Sequence, residues 1–421
     1  MTWYLKNAIM NKIADIAIPC TYSIRRKLCH IESEVEKMSD EINQELTRDK
    51  YTEIIYDKTC FGEPVNVQTF KDVISGINSA MEVENRPVFL EGLSARLSQI
   101  GITCTAHDTE IMLAEVKKRY KAVLGFSCPR TVIEWVKGKT PSTNKDRHNH
   151  YELCYALEMD YQQTAVFFQK HYLTLPFIVK SKVDAVFMYC LYHKKPYSTV
   201  TELIESSKGF VSQENAHTST SQIASVIFET DDDEKFLRYL SEHCYDNEQQ
   251  FQLARTIINS EIDELKAKIL ADGAAEIVSS DRLNSQTIDA LLGYRYQSRD
   301  KGEVAVKLPK GFTESLPNDV TLGRIINGDS ISYEVLRKTL MLLKFCNYYR
   351  DAEKEDRKHG HEPDKYEVND RLMDFYDELN GTLISCGFAQ LYVRHPFDCL
   401  LLYCANSYDP ILTLHLLNER N

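Results

Sequence analysis

Between Glu110 and Gly138 the sequence spells two short amphipathic helices separated by a glycine. Ile111, Ala114, Val116, Tyr120, Val123 and Leu124 recur at helical spacing, so they are expected to share one face. Gly125 suits the positive φ that ends a helix. Ser127 is the candidate N-cap of the next helix, with Pro129 acceptable in its first turn because the missing N–H has no helical partner there. Arg130-Thr-Val-Ile-Glu-Trp-Val-Lys137 then runs to Gly138, which is expected to stop it. Val132, Trp135 and Val136 fall at i, i+3 and i+4, so they form the buried side and turn Arg130, Thr131, Glu134 and Lys137 outward.

The same stretch is where the charge of the chain reverses. From Val116 to His150 nine basic residues face only Glu134 and Asp146, a net of +7 within a chain of net −12, so the remainder carries −19. Affinity for phosphate grows with the number of cations presented together, so this concentration is the footprint of a polyanion contact. Arg130 and Lys137 are suited to guanine edges or phosphates, while Lys139, Lys145 and Arg147 lie where a flanking backbone would pass. A pI near 5.6 argues against a protein coated by nucleic acid over its whole surface.

The phrase Gly125-x-Ser-x-x-x-Thr-x-Ile-x-Trp135-x-x-Gly138-Lys-x-Pro-Ser142, followed by Leu153-x-x-Ala156-Leu157, resembles the lambda-repressor-like (Xre-type) helix-turn-helix over about a seventh of the chain. That resemblance implies that Arg130–Lys137 is a recognition helix, with Arg130, Thr131, Glu134, Lys137, Lys139, Lys145 and Arg147 as the DNA-binding set. The wider phrase, through Thr164-Ala-Val-Phe-Phe168, is similar to uncharacterised helical proteins of low-GC Gram-positive bacteria and their mobile elements. The implied function is sequence-specific binding of duplex DNA in transcriptional regulation, and operator symmetry implies a homodimer. The alternative is a non-enzymatic helical scaffold or regulator whose basic face meets an acidic protein partner, with RNA or another polyanion third.

Elsewhere the composition points to an all-α fold of several small helical bundles, with only 16 glycines and 12 prolines in 421 residues. The expected organisation is an N-terminal helical region (1–100), a helix-turn-helix-like domain (101–206), a polar linker (207–225) and a C-terminal helical domain (226–421). Ser212 to Ser221 supplies the linker signal. Asp231-Asp-Asp-Glu234 is expected to open a helix, Gln249–Ala271 to continue as one, Val304–Leu308 to form a short strand, and Asp351–Asp370 to be an exposed loop. His30–Arg48 has the pattern of a solvated amphipathic helix.

A shift of 190 residues aligns Thr131 with Thr321, Gly138 with Gly328, Ser142 with Ser332, Arg147 with Arg337 and Leu153 with Leu343. The second copy lacks the Trp and is much less basic; on sequence alone it is equally a degenerate repeat used for packing or a coincidence.

No P-loop, G-x-G-x-x-G, G-x-S-x-G or H-E-x-x-H occurs, so no catalytic residue is assigned and no cofactor is expected. His148-Asn-His150 invites a nuclease reading, but three residues at a helix start are weaker evidence than a strand-helix metal finger. His359 and His361, with His395, invite a metal, although exposed loop histidines are more often solvated; no metal site is assigned. The 12 cysteines include no C-x-x-C and many sit in apolar runs, which fits reduced thiols in a cytoplasm. No stretch approaches membrane-span length, so no membrane partner is expected.

Overall fold

The computed structural model describes residues 63–67, 72, 75, 88–139, 141, 147–208, 220–271, 291–292 and 316–416. Among the described residues the fold is all-α: fifteen α-helices, two π-helical turns and no strand. The only β pairing among them is two isolated parallel bridges, Val65 with Ser407 and Ser181 with Tyr245. The segments expected as a helix at 30–48 and as a strand at 304–308 lie outside the described residues.

Two cores organise the chain. The first collects buried side chains from Phe89 to Cys244, the second from Phe251 to Leu416. The boundary therefore falls between Cys244 and Phe251, and not at 207–225 as the polar composition suggested. The helices Thr220–Glu229 and Asp233–His243 bury Ile223, Ile227, Phe236 and Leu240 in the first core. Polarity marks what faces water, whereas unit membership is decided by where the apolar stripes pack.

In chain order the first unit comprises α1 (Val88–Gln99), α2 (Thr109–Arg119) with a π-turn at Tyr120–Leu124, α3 (Arg130–Val136) and α4 (Arg147–Ala156). It continues with α5 (Tyr161–Phe167) and its π-turn Phe168–Tyr172, α6 (Lys182–Tyr192), α7 (Tyr197–Ser206), α8 (Thr220–Glu229) and α9 (Asp233–His243). The second comprises α10 (Asn247–Ala271), α11 (Asp319–Asn327), α12 (Tyr333–His359), α13 (Lys365–Ser385), α14 (Pro396–Ala405) and α15 (Pro410–Leu416). Asp232 caps α9 by accepting from Glu234 N and Lys235 N, so the acidic run does open a helix. The loop expected over 351–370 shrinks to Gly360–Asp364, because α12 continues to His359. Its charged turns form a solvated face, with Glu355 paired to Lys358 and His359 at helical spacing.

The second unit repeats the plan of α2–α7. Gly138 and Gly328 both end their short helices at positive φ, 99° and 86°. Gly138 N donates to Trp135 O and Lys139 N to Glu134 O; Gly328 N donates to Ile325 O and Asp329 N to Arg324 O, so both ends are closed by the same pair of bonds. Each unit then buries an arginine on the following helix, Arg147 on α4 and Arg337 on α12, against an aspartate near the start of a later one, Asp184 on α6 and Asp398 on α14.

Around that aspartate the sequences match at a second shift, of 214 residues. Asp184-x4-Tyr189-Cys190 aligns with Asp398-x4-Tyr403-Cys404, and Pro196-x-x-Thr199 with Pro410-x-x-Thr413. The backbone follows: Ile178 N donates to Asp184 Oδ1 at 3.1 Å as Tyr392 N does to Asp398 Oδ2 at 2.9 Å. Leu175 O and Ala389 O each accept from the arginine of their own unit. The echo at 190 residues is thus a structural duplication. The change of shift arises because α12 and α13 are far longer than α4 and α5.

Twin positions also show where one unit tolerates what the other does not. Leu173 ends the α5 segment at φ 54°, and its counterpart Gly387 has φ 72°. A Cβ on Gly387 would lie 2.9 Å from Gln250 Nε2, whose amide donates to Gly387 O. Gly387→Ala is therefore expected to destabilise by about 1–3 kcal/mol, from positive-φ strain plus displacement of Gln250. Urea unfolding checks this; an unchanged midpoint would show that Gln250 moves aside freely.

Candidate nucleic-acid interface

α2 buries Met112, Val116, Tyr120 and Leu124, successive residues on one face, with the π-turn keeping Leu124 inward. Ile111 and Val123, expected on that face, are instead 49% and 37% exposed, and Ala114 is also exposed. The core stripe starts one residue later than expected, at Met112. Gly125 closes the π-turn at φ 81°, donating to Tyr120 O at 3.1 Å. Phe126 anchors the following turn, edge-on to Tyr120 and tilted against Tyr197 of α7.

α3 begins at Arg130 with Pro129, not Ser127, as its cap residue. Proline disfavours helical backbone in the residue before it, so the helix cannot reach back through Cys128. Trp135 fixes its position: 2% exposed, it meets Phe89, His150 and Tyr172 at ring-centroid distances of 6.2, 4.6 and 6.1 Å. Val132 and Val136 are fully buried beside it.

On the outer side Arg130, Thr131, Lys137 and Lys139 are exposed and Glu134 is half-buried. Lys145 lies outside the described residues. Arg147 is a correction: it is 8% exposed, with its guanidinium on Asp184 at 2.7 Å and on Leu175 O at 2.7 Å. A guanidinium so enclosed makes no phosphate contact without unfolding α4 from α6. Two other cations of the basic stretch are also engaged, Lys118 with Glu115 and Arg119 with Glu115 and Glu158.

What remains is Lys117, Lys121, Arg130, Lys137 and Lys139, all exposed and with no hydrogen-bonded or ion-paired side-chain partner among the described residues. Lys117 and Lys121 were missing from the site expected from sequence, although their place outside the α2 stripe signalled them. Cations without internal partners keep their full charge for an external anion.

His148 Nε2 lies 3.0 Å from Glu152 Oε1 and 3.3 Å from Tyr197 OH, whereas His150 is 1% exposed and packed among aromatic rings. The two histidines of His148-Asn-His150 therefore do not converge. Burial pushes the Cys128 thiol up to about 11, with Lys117 offsetting part of it, so it is no thiolate nucleophile near neutral pH. His359 and His361 pair with Glu355 and Glu367, and His395 is buried beside Asp398. Among the described residues no three His, Cys, Asp or Glu side chains gather as a metal site, and no helix is long and apolar enough to cross a membrane.

No known protein family, curated protein or solved structure matches the chain.

Proposed function

We propose that this protein binds duplex DNA through α3 and the flanking cations, and acts as a transcriptional regulator in the cytoplasm. The observation that carries the reading is internal to the chain. The same helix–glycine unit is built twice, and only the first copy bears Arg130, Lys137 and Lys139 at its exposed positions. The fold does not need those cations, since the second copy closes its helix with the same bonds without them. A short exposed helix carrying Arg, Thr and Lys suits a major groove, with Lys117 and Lys121 placed on the preceding helix for backbone phosphates.

Fluorescence anisotropy with duplex DNA at two salt concentrations tests this. Five phosphate contacts predict a slope of log K against log salt of about −4 to −5. Arg130→Glu/Lys137→Glu/Lys139→Glu is expected to weaken binding at least ten-fold while leaving helical content unchanged. Salt-independent binding, or none by a folded wild type, removes the reading. An acidic protein partner is the second reading, favoured by Ile111 and Val123 standing exposed on the same helix as Lys117 and Lys121.

A further inference from the structure

The duplication makes α11 the twin of α3, so the second unit shows what that helix looks like when it is not used. Val320, 63% exposed, stands where the first unit has Arg130; Asn327 replaces Lys137 and Asp329 replaces Lys139. The single cation of α11, Arg324, is the twin of Glu134, and its Nη2 donates to Ser330 O at 2.6 Å.

The helices in front differ in the same sense. Each carries a buried glutamate, Glu115 on α2 and Glu261 on α10, preceded three residues earlier by a buried Met112 or Ile258 and followed directly by a buried Val116 or Ile262. Two and three residues beyond the glutamate α2 has Lys117 and Lys118, whereas α10 has Asp263 and Glu264, both exposed. The C-terminal end of α11 is also occupied from within. Arg255 of α10 donates to Ile325 O at 3.0 Å and Ile326 O at 2.8 Å, and its guanidinium packs against Gly328.

We infer that each chain grips duplex DNA through one module only, and that its contact on the duplex has no internal two-fold symmetry; this rests on the DNA-binding reading above. Asp263 and Asp329, both exposed, stand at the second module where the first has Lys117 and Lys139, and Glu264 is held by Lys268 at 2.7 Å. Negative charge at those positions opposes a phosphate backbone.

Phosphate-ethylation interference on wild-type protein bound to its duplex decides the matter. One cluster of sensitive phosphates per bound chain is expected. Arg324→Glu and Asn327→Glu should leave affinity within about two-fold, against the ten-fold or greater loss from the α3 triple change. Two symmetric clusters from one chain, or equal losses from α11 and α3 variants, overturn the inference while leaving DNA binding intact. Absence of any binding by folded wild type removes both.

Discussion

Arg147→Ala is expected to destabilise the first unit by about 3–5 kcal/mol, a large share of the roughly 5–15 kcal/mol that holds a typical domain folded. Asp184 is fully buried and holds five bonds: two from Arg147 Nε at 3.1 Å, one from Nη2 at 2.7 Å, one from Tyr151 OH at 2.6 Å and one from Ile178 N at 3.1 Å. Removing the guanidinium leaves a buried carboxyl group with two neutral donors and no countercharge. Replacing both partners by leucine and methionine should cost less than either single change, because no orphan charge remains. Urea unfolding followed by near-UV dichroism measures each variant. Should Arg147→Ala keep full stability and lose DNA affinity, the residue would be a contact after all, as its sequence position suggested.

The twin pair adds a pH signature. Burial alone would push the Asp398 carboxyl up, but Arg337 and His395 more than offset it and hold it well below the usual carboxylate range. A carboxyl depressed in the folded state contributes stability above its unfolded value, about 3.9, and loses it as pH falls below that value towards the folded pKa. The second unit should therefore weaken in acid below about pH 4, and Asp398→Asn should flatten that dependence while lowering stability at neutral pH.

The other large effect belongs to Trp135→Ala, expected to cost about 3–5 kcal/mol. The indole fills the space between α1, α4 and the end of the α5 segment, so its loss leaves a cavity lined by Phe89, His150 and Tyr172. Its twin is Ile325, also fully buried, which makes Trp135→Ile the informative control. An aliphatic residue seats the equivalent helix in the second unit, so this change should cost less than the alanine. Because α3 rests on Trp135, DNA affinity is expected to fall with stability in the alanine variant and recover partly in the isoleucine variant. Full affinity in a destabilised alanine variant would show that α3 does not need this seat to present its cations.

Local signals were legible in the chain. The inward set Val132, Trp135 and Val136, the exposed Arg130, Thr131, Lys137 and Lys139, and the stops at Gly125 and Gly138 follow from helical period and from glycine's access to positive φ. The all-helical class follows from the same periodicity. Arg147 was misplaced because charge does not say which way a side chain turns. Its partner lies 37 residues downstream on another helix. The unit boundary was misplaced because polar composition near 212–221 resembles a linker, although α8 and α9 return to the first core.

The duplication lay between these extremes. Gly138 with Gly328 and Arg147 with Arg337 were visible at one shift. The confirming aspartates sit at another, since helices lengthened within the second copy break a single alignment. The sequence by itself determined that α3 is a helix, that Gly138 stops it and which of its side chains face outward, because those depend on neighbours within a few residues; it missed the helix through Asp351–His359, whose charged turns read as a loop. Only the tertiary structure decided that Arg147 is core, that the cores divide near Cys244, and that the basic helix has a twin without counterparts of Arg130 and Lys137, because each depends on contacts between residues far apart in the chain.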